Sequence, residues 1–397
     1  MRWAAAVLAS GALALMPSVS SNPRRETGPD ALTAAAASLM NEARLRGDAS
    51  LYRKAEEACD RALAIDPAHY DALRLRGWIY GGQHRFAEAA GAARRAQTIR
   101  PSDPFNFGAL GDALIEIGDY AGAEAAFQTM IDLRPDSASY ARGAYWRELN
   151  GDTKGAIDLM SRALDAAVAA GPAERAWYLS QRGDLRFARG EIAAAAADQS
   201  AALALAPQAP WALAGLARAT AALDRDGEAV ARYRRSLEIV PSPIVAAELA
   251  TLLDQRGRSD EAKAALALVE ATRRLQQGTG LFDRQIAVID ADRGHDVEDA
   301  LKVAERSLTS RHDIYGYDAV AWCAFRAGHL ARARETMPQA LKLGTEDARL
   351  FYHAGMIARA AGNLAAARRA LAHALHINPR FDPRGAEIAR RTLREIS

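Results

Sequence analysis

The chain has 397 residues, and its 51 Lys and Arg nearly balance 49 Asp and Glu, leaving a formal charge of +2. Balance of this kind excludes a whole-molecule field that draws the protein to nucleic acid or to an anionic lipid surface. Half of the residues are hydrophobic, yet only 9 Phe, 6 Trp and 11 Tyr are present, so alanine carries much of that share and bulky packing is rationed.

The first twenty residues place Arg2 ahead of an apolar run from Trp3 to Met16, then a helix-breaking Pro17 and the small residues Ser18 and Ser20. That order predicts a signal peptide over 1–20 with cleavage after Ser20. The run is too short for a bilayer span of roughly 20 residues. No cysteine follows it, which argues against a lipid anchor. Residues 21–32 read as a linker.

From Pro104 the chain reads "PFNFGALGDALIEIGDYAGAEAAFQTMIDLRP", and the residues before it read "YDALRLRGWIYGGQHRFAEAAGAARRAQTIRP". Gly77, Tyr80, Phe86, Ala89, Ala93, Ala96 and Pro101 stand at the spacing of Gly111, Leu114, Tyr120, Ala123, Phe127, Met130 and Pro135. Within each unit, small or apolar residues recur at positions 4, 7, 8 and 11 and again at 20, 24, 27 and 28. Spacings of three and four mark one face of a helix, so each unit is two amphipathic helices joined by a turn such as "GDY". A lone unit leaves its apolar stripe uncovered, so neighbours must stack.

This pattern resembles the tetratricopeptide repeat. Ten copies begin near Thr33, Tyr70, Pro104, Ser137, Ala176, Pro210, Pro243, Leu281, Ile314 and Ala348, and Pro67, Pro101, Pro135, Pro207, Pro241 and Pro379 close six of them. The resemblance implies an all-α, right-handed superhelical solenoid of about ten helix-turn-helix units over 33–379, with a capping helix in 380–397. Repeat 1 has three extra residues in its turn, and repeat 4 runs on through "DAAVAAGPAER". Repeat 8 is the weakest copy, with Val288 at the small position. Pro338 in repeat 9 predicts a bent second helix.

Candidate chemistry is sparse along the chain. Asp290 and Asp292 alternate as in a calcium loop, but His295 replaces the sharp-turn glycine and Leu301 the closing carboxylate. Asp296 is then expected as a helix N-cap, with Asp299 in the first turn. His353, His373 and His376 lack the further ligands of a zinc site and read as surface histidines. Cys59 and Cys323 read as buried, inert thiols. Arg232, Arg234 and Arg235 read as a solvated outer face. We expect no catalytic residue, no metal and no cofactor.

In solenoids of the family that the chain resembles, first-helix positions 2, 5, 9 and 12 face a concave groove. Eleven of the aromatics fall on them: Trp78, Tyr145, Trp177, Phe187, Trp322, Phe325 and Tyr352, and also Phe105, Trp211, Phe282 and Tyr315. Phe105, Trp211 and Phe282 could equally wedge between repeats. Charges on or beside the stripe include Arg74, Asp112, Glu116, Glu148, Asp184, Arg218, Asp318 and Arg349. Aromatic anchors with a few charges suit a protein-binding surface. The clamp for terminal carboxylates found in chaperone-type members is incomplete, since its positions hold Ala37, Asn41, Arg74 and Trp78.

The expected function is therefore a protein–protein interaction scaffold or adaptor in the bacterial cell envelope, exported to the periplasm, with an unidentified protein or peptide as partner. No nucleic acid and no stable membrane span are expected. The alternatives are a receptor with a closed aromatic pocket around Trp177, Phe187 and Trp211, and an enzyme whose site is assembled across repeats. Truncating Trp78 or Trp322 to alanine is expected to weaken partner capture with helical content intact.

Overall fold

A computed structural model describes residues 28–46, 50–275 and 280–396. Among them every regular element is helical: 21 α-helices and one short 3₁₀ turn at Ala167–Ala169. The signal-peptide expectation lies outside the described residues. No described helix is long and apolar enough to cross a membrane.

The chain divides into two compact units. The first comprises the residues up to Gly143 with short segments around Leu281 and at Ser310–His312. It holds α1 (Pro29–Arg46), α2 (Ser50–Ile65), α3 (Tyr70–Gly82), α4 (Phe86–Ile99), α5 (Pro104–Glu116) and α6 (Tyr120–Leu133). Helix α7 (Ser137–Leu149) crosses into the second unit. Next come α8 (Thr153–Ala166), α9 (Pro172–Ala188), α10 (Ile192–Leu205), α11 (Pro210–Ala222), α12 (Asp226–Ile239) and α13 (Pro243–Gln255). The rest are α14 (Ser259–Leu275), α15 (Asp283–Arg293), α16 (Val297–Leu308), α17 (Ile314–Arg326), α18 (Leu330–Ala340), α19 (Ala348–Ala360), α20 (Leu364–Ile377) and α21 (Pro383–Glu395).

Odd and even helices pair in antiparallel fashion, α1 on α2, α3 on α4, α9 on α10, and so to α19 on α20. Small residues set this pairing. The alanine at position 20 of all ten repeats, from Ala55 and Ala89 to Ala333 and Ala367, is at most 3% exposed. Helix starts follow from side-chain caps, which satisfy amides that no preceding turn can reach. Asp103 accepts from the Phe105 amide at 2.9 Å ahead of Pro104, and Asp119 and Asp152 accept from Gly122 at 3.0 Å and Gly155 at 2.8 Å.

Several departures have local causes. Helix α9 begins at Pro172, four residues ahead of the repeat spacing, because proline suits the first turn. Asp296 precedes α16 as expected but is left-handed, with φ 39°, and makes no capping bond. His353 is corrected from a surface residue to a buried one, 1% exposed. Pro338 lies inside α18, which ends two residues later.

Long-range closures add to the stacking. In the first unit, buried Arg311 donates from Nε to Glu116 Oε2 at 2.7 Å, 195 residues away, and its guanidinium lies 5.3 Å from the Phe86 ring. In the second, Thr345 Oγ1 donates to the Leu149 carbonyl across 196 residues, and Asn378 Nδ2 donates to the Phe187 carbonyl at 2.6 Å across 191. The turn glycines Gly118 and Gly151, both at φ 80°, lie beside two of these closures. A Cβ would come within 2.7 Å of the His312 carbonyl at Gly118 and 2.5 Å of the Gly344 carbonyl at Gly151.

Candidate functional site

Three of the stripe rings, Phe105, Phe187 and Trp322, lie beside an arginine. In the first unit, Trp78 is 3% exposed and stacks on Phe105 with centroids 5.0 Å apart. Arg74 lies over the other partner of that stack, 4.2 Å from the Phe105 centroid, within 4.0 Å of Asp71 and 3.8 Å of Asp103. The Trp78 indole N–H is buried without a hydrogen-bond partner. Asp112 takes a forked pair of bonds from buried Arg142, at 2.8 to 3.1 Å. Burial pushes the Asp112 carboxyl up while Arg142 opposes the shift.

In the second unit, Tyr145 is buried and Glu148 half-buried. Trp177 is 7% exposed and meets Tyr178 edge-on at 5.0 Å. Phe187 packs with Ala195 and Ala219, whereas Trp211 packs with Ala176, Leu179 and Ala212. The two rings are thus in separate clusters. Arg218 lies 5.8 Å from the Phe187 centroid and bridges Asp184 at 3.1 Å and Glu248 at 3.2 Å. Desolvation works against its charge, but Glu248 and Asp184 outweigh it and hold the guanidinium firmly protonated. Tyr233, beside Glu248, is pushed well up, by burial first and then by that carboxylate.

A second cluster centres on Trp322, 2% exposed. Its Nε1 donates to Asp292 Oδ1 at 2.8 Å, and its ring stacks on His353 at 4.0 Å with Phe325 at 5.3 Å and Tyr352 at 5.6 Å. Arg326 lies 5.6 Å from the Trp322 centroid and donates to the Asp292 carbonyl at 3.2 Å. His353 Nδ1 is 2.8 Å from Asp318 Oδ1. Burial, then Asp292, pushes the Tyr352 phenol up to about 12. Arg349 joins Asp382 at 3.1 Å and Asp292 at 3.6 Å.

Trp78, Tyr145, Trp177, Phe187, Trp322 and Tyr352 are therefore all buried, and arginines lie beside Phe105, Phe187 and Trp322. Sequence reasoning missed Glu248 and Asp382, and weighed Asp292 only as part of a failed calcium loop. Asp292 occupies position 12 of repeat 8, where the repeat register alone could have placed it on the stripe. Glu248 is at position 6 and Asp382 outside the repeats, so no register points to them.

The alternating acidic pair, Asp290 and Asp292, diverges. Asp290 bonds Arg273 at 2.8 Å, while Asp292 serves Trp322. Glu270, Asp290 and His295 do converge, but Arg273 also reaches Glu270 at 3.2 Å and supplies the positive charge there. Burial pushes the Asp290 carboxyl up against that pairing.

Residues 40–104 and 109–174 match the tetratricopeptide repeat family model, so the chain carries such repeats over that stretch. No protein of curated function matches the sequence. Among solved structures, the human IFIT1 dimer with m7Gppp-AAAA is 14% identical, over 74% of this chain and 68% of that one, with a TM-score of 0.49. Yeast Tom70 is 13% identical over 93% and 89%, with a TM-score of 0.41. PilW, a type IV pilus biogenesis factor, is 15% identical over 53% and 93%, with a TM-score of 0.43.

Proposed function

We propose that the protein is a non-enzymatic interaction scaffold, exported into a bacterial cell envelope, that holds a partner polypeptide along the inner face of its first helices. The observation that carries this reading is the repeated layering of arginine over aromatic: Arg74 on Phe105, Arg218 on Phe187 and Arg326 on Trp322. Each such contact contributes about 1 kcal/mol. It also fixes each guanidinium, which neighbouring acceptors hold in place: Asp71 and Asp103 for Arg74, Asp184 and Glu248 for Arg218, the Asp292 carbonyl for Arg326. A partner then meets positioned charge instead of bare ring faces, and its carboxylates or carbonyls are what the layer recognises. Export rests on residues 1–20 of the sequence.

Photocrosslinking in cells tests the binding face. A crosslinker placed at half-buried Phe325 or Trp211 is expected to give one dominant adduct, and one at exposed Arg235 on the outer helices none. The same adducts from both faces would overturn the reading. For export, mass spectrometry of the periplasmic fraction is expected to find a chain starting at residue 21.

A further inference from the structure

The chain's own C-terminus docks on first-helix residues of the second unit. Asn378, fully buried, fixes the exit of α20 through its bond to the Phe187 carbonyl. Beyond it Arg380 pairs with Asp224 at 2.8 Å, Phe381 lies 5.7 Å from Tyr352, and Asp382 accepts from Arg349 at 3.1 Å. Arg384 donates to the Asp292 carbonyl at 3.3 Å, and α21 packs on α13 as well as on α19 and α20. Arg349, Tyr352 and Asp292 are stripe residues, whereas Asp224 lies in the turn after α11.

The attachment is shallow. The Arg380 and Asp224 side chains are 47% and 64% exposed, a setting in which solvent screens an ion pair and it holds the chain only weakly. Helix α21 fully buries only the small side chains of Gly385, Ala386, Ala389 and Thr392; Ile388 and Leu393 are half-buried, and Arg359 and Arg368 tie its end through Glu395 and the Ile396 carbonyl. Segments with few buried apolar contacts open at a fraction of the global unfolding free energy. Asn378 is the firm point, and the residues beyond it can pivot there.

We infer that Arg380–Ile396 is an internal occupant of the inner face. A partner segment of the same chemistry, an arginine, an aromatic and an aspartate in succession followed by an arginine-rich amphipathic helix, displaces it. The inference rests on the scaffold reading and names the segment a partner would present. Charge complementarity supports it, since Asp224, Arg349 and the Asp292 carbonyl answer Arg380, Asp382 and Arg384 in order. An amphipathic helix is required because release of α21 bares the end of the helix stack.

The test uses the full chain and a labelled synthetic peptide of residues 378–397. In native hydrogen exchange of the unaltered protein, amides of 380–396 are expected to open at least tenfold faster than those of α20. With Arg380→Ala and Phe381→Ala together, that opening is expected to increase. The peptide should then bind saturably, and at least tenfold more tightly than to the unaltered chain. Adding Arg349→Gln should weaken it about fivefold. Exchange of 380–396 only in step with α20 overturns the inference, and so does a folded double variant that ignores the peptide. If the double variant fails to fold, the exchange comparison on the unaltered protein still decides. Failure to capture a partner in cells counts against the scaffold reading alone, because the peptide assay does not depend on it.

Discussion

Cys59 and Cys323 are both 0% exposed, and neither has a disulfide partner. Burial pushes the Cys59 thiol up to about 12 and the Cys323 thiol higher still, so neither supplies the thiolate that alkylation needs. Iodoacetamide at pH 8 is expected to label neither in the native protein and both in denaturant; mass spectrometry reads the count. Trp322 is 2% exposed, so its ring serves packing as well as the stripe. Removing a buried tryptophan ring costs about 3–5 kcal/mol, and here it also strips Asp292 of its indole donor. Trp322→Ala is therefore expected to lower the thermal midpoint in a circular dichroism melt before any effect on binding can be read. The sequence shows position 9 as aromatic because register is local. It does not show the ring as covered, because the cover comes from Arg326 and His353, and His353 belongs to the next repeat.

At the scale of the helix pair, the repeat was legible almost to the residue. Helices α3, α5, α7, α11, α13, α17 and α19 begin at the repeat starts, since their apolar spacing and caps are written locally. Asp296 shows the limit: the residue type suited a cap, but its backbone is left-handed and its side chain makes no capping bond. The turn glycines divide in a way no repeat alignment reveals. Gly257 has φ 71° and open space around a Cβ, whereas Gly151 faces the Gly344 carbonyl. Gly257→Ala is expected to cost only the left-handed strain of about 1–2 kcal/mol. Gly151→Ala should cost at least twice as much, because the Thr345 closure must also shift. Paired urea melts measure the difference, and equal costs would mean that the contact at Gly344 is loose.

For the molecule as a whole, nearest-neighbour stacking accounts for most of the architecture, and that much is dictated by a repeating sequence. The closures are not, because residues 191 to 196 positions apart carry no shared local pattern. The C-terminal docking is similarly hidden and has its own pH signature. Hydrogen bonding from Arg380 holds the Asp224 carboxyl below the usual carboxylate range. A depressed folded value means that the pair's contribution is complete above the ordinary value of about 3.9 and is lost as pH falls through the lowered one. Protection of 380–396, corrected for intrinsic exchange, is expected to hold between pH 7 and 5 and to fall below pH 4. Loss of protection already at pH 6 would point to a different group.

The closures also set a timetable for biosynthesis. Thr345 is made 196 residues after Leu149, the carbonyl it binds. At ribosomal rates of about 5–20 residues per second that interval is about 10–40 s. Throughout it, the turn around Gly151 exists on the nascent chain without its counterpart. Early repeats can stack on one another as they emerge, but the bonds that fasten α7 and α9 to later repeats form only when the chain is almost finished, so truncated products lack them however well their helices form.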